Sequence, residues 1–287
     1  MNRNSSIQDA FQHCENIARS HYENFPVASF FLPKHLRPYI AAVYAFSRIA
    51  DDFADEGTLP AQARLDKLDD WQRQLDKCYE GKTSHPVFIA LAEVTRRKNM
   101  PKQLLTDLLT AFKMDVTTNR YATFDDLSYY CKHSANPVGR IVLHLFDDAS
   151  ERNMLLSDSI CTALQLANFW QDISVDLHKG RIYVRLEDMH RFGYTEEEFF
   201  SRCRDERFIS LMKFEVERTR GIFNAGRPLL TEATRKLRFE LLLTWNGGVT
   251  ILNKIENQNY DVFGNRPAIG TLDKLSILMK SFFRRTV

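Results

Sequence analysis

The chain has 287 residues, with 39 Lys+Arg against 37 Asp+Glu, so it is close to neutral and lacks the strongly basic footprint of a nucleic-acid-binding domain. Hydrophobic residues make up 44%, enough for a large core and too many for a disordered chain. With only 11 Gly and 9 Pro there are too few breakers for an all-β or β–α repeat fold, and no run of about 18 apolar residues is present to span a bilayer.

Hydrophobic periodicity near 3.6 runs almost throughout and predicts a single all-α domain over residues 1–287. Ser5 or Ser6 is expected to cap a first helix reaching Tyr22, and Pro26 and Pro33 to hold an irregular loop. A second helix is expected from near His35 to Gly57, with Pro38 in its first turn. Pro60 opens a third, whose Leu65, Leu68, Trp71, Leu75, Cys78 and Tyr79 form one apolar stripe. Further helices are predicted at His85–Lys98 and from Pro101 to Thr118. One from Phe124 to Phe146 contains Asn136-Pro137 and should kink there. Ser157–Leu177 reads as a long apolar helix closed by His178-Lys179-Gly180. After a loop come helices at Thr195–Cys203, Glu206–Gly226, Pro228–Asn257 and Thr271–Arg285. The cysteines Cys14, Cys78, Cys131, Cys161 and Cys203 are odd in number and form no CxxC, so they read as small buried residues, not as disulfides or zinc ligands. A reducing cytoplasm and the apparent lack of a secretory signal in the opening residues set the expected location.

Two acidic clusters break the rules for a plain helix. Asp51, Asp52, Asp55 and Glu56 crowd the end of the second predicted helix, with Asp51 and Asp55 on one face. Two like charges about 6 Å apart cost roughly 3 kcal/mol at an effective dielectric near 20, and a helix C-terminus disfavours acids further. Gln165, Asn168, Asp172 and Asp176 repeat the anomaly as a polar stripe on an otherwise apolar helix that stops just beyond. A bound cation resolves both conflicts. Oxygen donors without Cys or His select Mg²⁺, which keeps waters and completes its shell with substrate phosphates. Arg48, three residues before Asp51, is placed to neutralise that cluster or to hold a phosphate oxygen, and Arg37, Arg140, Lys179 and Arg181 are further cations. Tyr44 lies two turns before Asp51 on the same face, and Tyr130 on the helix with Asn136-Pro137; both also suit a core.

The clusters resemble those of the squalene/phytoene synthase family. The carrying motifs are Tyr44-x-x-x-Arg48-x-x-Asp51-Asp52-x-x-Asp55, Gln165-x-x-Asn168-x-x-x-Asp172-x-x-x-Asp176 and Gly180-Arg181-Ile182-Tyr183, and the likeness covers nearly the whole chain. It implies an all-α isoprenoid synthase fold, one helical domain around a deep apolar cavity. It implies that Asp51, Asp55, Asp172 and Asp176, with Asp52 beside them, hold about two or three Mg²⁺ ions that bind and ionise an isoprenoid diphosphate. Tyr44, Arg48, Tyr130, Gln165, Asn168 and Tyr183 match positions that line the reaction zone, and Lys179 and Arg181 are expected to bind diphosphate.

Within the family, residues 21–29 and 134–140 are similar to bacterial hydroxysqualene synthases, and His21 and Asn24 of the first segment become candidates for substrate binding. Gln171 stands where the family has a basic residue, and Arg185 where these relatives often carry Pro. The resemblance implies conversion of presqualene diphosphate and water to hydroxysqualene and diphosphate, with no NADPH consumed. The alternatives are condensation of two farnesyl or geranylgeranyl diphosphates to presqualene diphosphate, squalene or phytoene, and a non-catalytic relative acting in assembly or binding. A thirty-carbon substrate and the tail Leu278–Arg285 suggest peripheral contact with the inner face of a membrane.

Overall fold

The computed structural model describes residues 3–20, 33–55 and 59–284. Every regular element among them is a helix: α1 (Arg3–Ser20), α2 (Arg37–Asp55), α3 (Ala61–Tyr79), α4 (Pro86–Lys98), α5 (Lys102–Thr117), α6 (Phe124–Ser134), α7 (Asn136–Leu145), α8 (Glu151–His178), α9 (Leu186–Arg191), α10 (Glu196–Phe200), α11 (Glu206–Gly226), α12 (Leu229–Glu232), α13 (Arg235–Asn257) and α14 (Thr271–Arg284). The tertiary contacts fall into two compact units, Met1–Thr117 with Arg140–Asp148, and Thr118–Gly139 with Ala149–Val287, so that the division passes through α7.

In the first unit α2 packs against α1, α3, α4 and α5. The stripe on α3 buries Leu68, Trp71, Leu75 and Cys78, while Tyr79 stays at the surface and donates to the Met100 carbonyl. Trp71 sits at the centre: its indole N–H donates to the Phe46 carbonyl of α2, and its ring lies 4.5 Å from that of Phe88 on α4. In the second unit α8 lies against α6, α11, α12 and α13. Trp170 on α8 is fully buried and donates to the Thr219 hydroxyl of α11.

Several expected boundaries move. Ser5 and Ser6 lie inside α1 and do not cap it, since helical backbone already begins at Arg3. Pro60 is the cap before α3 and not its first residue. The kink expected at Asn136-Pro137 divides the helix in two: α6 ends at Ser134, Ala135 caps it by donating to the Cys131 carbonyl, and α7 restarts with Pro137 in its first turn, where a missing N–H costs nothing. α8 starts at Glu151 and not at Ser157, because Ser150 caps it by accepting from the Asn153 amide. The long helix expected from Pro228 splits into α12 and α13 at Ala233-Thr234. Residues 186–191, read as loop, form the short helix α9.

Candidate functional site

Both acidic clusters lie where the periodicity puts them, at helix C-termini. In the first unit α2 ends at Asp55, and Glu56 and Gly57 lie outside the described residues. The Arg48 guanidinium pairs with Asp51 at 3.3 Å and with Asp52 at 2.5 Å. Burial is the main cause that pushes the Tyr44 phenol above its ordinary range; Asp51 and Asp52 add to it and Arg48 opposes it. Tyr44, Arg48, Asp51 and Asp52 thus form one electrostatic neighbourhood.

In the second unit the stripe on α8 is answered by residues far off in sequence. Asp172 takes Arg266 on one carboxylate oxygen at 2.5 Å and the Asn168 amide on the other at 2.9 Å. The field of Asp176 also reaches Arg266. Gln171 donates to the Pro267 carbonyl at 2.6 Å and so ties α8 to the segment that carries Arg266. Nothing in the spacing could have pointed to Arg266, which is 94 residues from its partner.

Beyond α8 the chain turns at Gly180, whose φ of +69° is the left-handed conformation that glycine adopts without strain. Residues 181–187 are then held by backbone bonds to 119–122: Ile182 donates to Asn119, Leu186 to Tyr121 and Glu187 to Ala122. The Arg120 guanidinium adds a bond to the Gly180 carbonyl. This clamp carries Lys179, Arg181 and Tyr183 to the end of α8. The Tyr183 ring stacks on Phe169 at 3.7 Å, with Tyr121 at 5.8 Å and Tyr130 at 6.2 Å, so four aromatic rings gather around Phe169 of α8, the residue after Asn168. Tyr130 and Tyr183 were expected there; Phe169 and Tyr121 were not singled out, because an aromatic residue on an apolar helix or in a loop reads as core.

Under the clamp lies a buried ionic group. Arg185, fully buried, binds Asp188 and Glu215 and lies 4.9 Å from the Phe124 ring, while Arg218 binds Asp188 at 2.9 Å. Burial pushes the Glu215 carboxyl up, against the pull of Arg185. Asp188 is held below its ordinary range by Arg218 and Arg185 in spite of burial. Two arginines here face two carboxylates, and the group ties the start of α9 to α11.

His21 and Asn24 lie outside the described residues. Among the described residues, one set of side chains close enough to share a metal is Glu198, Cys203 and Asp205. Glu198 and Asp205 are helix caps and both already pair with Arg207. The donors at the two aspartate motifs are carboxylates and amides, with no thiol or imidazole, and both motifs already attract guanidinium cations; this fits a hard divalent ion.

The chain is similar to known proteins over most of its length. It is 34% identical to a hydroxysqualene synthase of Sinorhizobium fredii, over 76% of this chain and 74% of that protein. It is 28% identical to a 15-cis-phytoene synthase of Synechococcus elongatus, over 99% of this chain and 96% of that one. Among solved structures, squalene synthase HpnC from Alicyclobacillus acidocaldarius superposes with a TM-score of 0.85 at 38% identity, covering 90% of this chain and 99% of that one. The helical fold is that of these synthases. Residues 18–273 match the squalene/phytoene synthase family, and the chain belongs to it.

Proposed function

We propose that the protein converts presqualene diphosphate and water to hydroxysqualene and diphosphate. The gathering of Tyr121, Tyr130 and Tyr183 around Phe169 carries the reading, because it sets aromatic faces on the same helix, α8, that bears Asn168 and Asp172. Identity of 34% to a hydroxysqualene synthase supports hydration over condensation.

Asp51, Asp52 and Asp55 on α2, and Asp172 and Asp176 on α8, would hold Mg²⁺. Bound there, Mg²⁺ supplies Lewis-acid stabilisation of the diphosphate leaving group. Arg48, Lys179, Arg181 and Arg266 add positive charge whose effect grows as the C–O bond breaks and its electron pair leaves on the diphosphate oxygen. The aromatic faces stabilise the carbocation, and their apolar bulk delays its capture while it rearranges. A water oxygen then bonds to the rearranged cation, and one of its protons ends on the released diphosphate. No hydride enters the balance, so NADPH is not needed.

Incubation with presqualene diphosphate and Mg²⁺ in ¹⁸O-labelled water tests the reaction by mass spectrometry. The alcohol should carry the label, and NADPH should change neither rate nor product. Squalene formed only with NADPH would assign a reductive synthase, and efficient use of farnesyl diphosphate would assign the condensing branch.

A further inference from the structure

Helix α14 shows an apolar face to solvent. Its inward line is Asp273, Ile277 and Ser281: Asp273 pairs with Lys254 at 2.8 Å, Ile277 packs on Phe239 and Leu243 of α13, and Ser281 accepts from the Asn246 amide at 2.9 Å. At 100° per residue the opposite line is Leu272, Leu275, Met279, Phe282 and Phe283. These five side chains are 83, 55, 51, 60 and 66% exposed. Leu272, Leu275, Met279 and Phe283 line a shallow groove along the helix. Single exposed apolar residues are ordinary, whereas a continuous row of this kind marks a contact surface.

The charges identify the occupant. Lys274 and Lys280 are exposed and stand on opposite flanks of the apolar row. Asp273, the sole carboxylate of α14, is turned inward onto Lys254. The exposed surface of α14 is therefore apolar along its outer line, with a lysine on each side between that line and the inward one, and free of acid. That pattern matches a helix lying in a bilayer surface, with its apolar face among the acyl chains and its lysines at the phosphates. A second copy of the chain would instead set this face against itself and bring lysines towards lysines.

We infer that α14 docks the protein on an anionic lipid surface, with Leu272, Leu275, Met279, Phe282 and Phe283 entering the acyl boundary and Lys274 and Lys280 meeting lipid phosphate. The inference goes beyond the reaction and does not depend on which isoprenoid diphosphate is used.

Co-sedimentation of the full chain with phosphatidylcholine vesicles, with and without phosphatidylglycerol, tests it. The protein should bind the anionic vesicles, and added salt should weaken binding. The L275Q/M279Q/F283Q variant removes only exposed side chains. It should keep its circular dichroism and melting temperature and lose at least about tenfold in vesicle affinity. K274Q/K280Q should lose about fivefold per lysine on anionic vesicles and little on neutral ones. Wild-type protein that stays in the supernatant, or variants that bind like wild type, would overturn the inference. So would a dimer in sedimentation velocity that L275Q/M279Q/F283Q dissolves without any vesicle binding, which would give the face to a second copy. The readout is binding and not turnover, so its failure is distinguishable from failure of the proposed reaction.

Discussion

Asp172 holds Arg266 with one oxygen and Asn168 with the other, and this defines what its loss should do. The Arg266 side chain is 47% exposed, so the ion pair contributes at most about 1 kcal/mol to stability. Asp172→Ala should therefore leave the denaturation midpoint almost unchanged while lowering turnover on the order of 10²–10³-fold, the loss for one group that stabilises developing charge. Asp51→Ala should do the same. A variant with wild-type turnover at saturating Mg²⁺ would remove that residue from the site. Glu240 on α13 behaves differently. One of its carboxylate oxygens is buried without a hydrogen-bond partner, and burial pushes its pKa up to about 7. A raised carboxyl pKa favours the folded chain below the ordinary carboxylate range, and that contribution is lost as pH rises through the folded value. Glu240→Gln should match wild type near pH 4.5 and gain about 1–2 kcal/mol over it by pH 8, read from urea midpoints. A constant difference across that range would contradict the assignment. Sequence alone showed the aspartates, because acids at a helix C-terminus violate electrostatics on their own element. It was silent on Arg266 and Glu240, whose meaning depends on what packs against them.

In the second unit α8 packs against α11, and the two backbones come close at Gly226. A Cβ built there would lie 2.7 Å from the Leu156 carbonyl oxygen and 3.0 Å from the Ile160 nitrogen. These are backbone atoms of one helix and cannot turn aside, so the helices must separate. Gly226→Ala should cost about 1–3 kcal/mol, seen as a lower denaturant midpoint at unchanged slope. Equal stability would mean that the approach relaxes freely. Elements of this length were legible because a buried face repeats every 3.6 residues for several turns, and α11 has the expected bounds. Short elements carry no such signal. α9 has six residues and owes its place to Arg185 and Asp188, an ionic contact that periodicity cannot register. The break at Ala135 was foreshadowed by Pro137, yet the same proline suits either a kink or a new first turn, and the sequence leaves that choice open.

For the molecule as a whole, the proposed metal chemistry predicts a linkage. Ligands that bind only the folded chain raise its melting temperature by mass action. Mg²⁺ with inorganic diphosphate should raise it more than Mg²⁺ alone, because Mg²⁺ relies on phosphate oxygens to complete its shell. Equal shifts with and without diphosphate would mean closed structural sites at the aspartate motifs. Family membership and helical architecture were legible from motifs spread along the chain. The choice between hydration and condensation was not, since the resemblance implies the same aspartates for both.

The cysteines give the two compact units separate clocks. Cys14 and Cys78 of the first and Cys131 of the second are buried, and burial lifts all three thiols to about 12. At neutral pH such thiols carry almost no thiolate, so an alkylating reagent meets them only after the surrounding helices part. Mass-resolved labelling of the native protein therefore times the opening of each unit by itself, with no introduced probe.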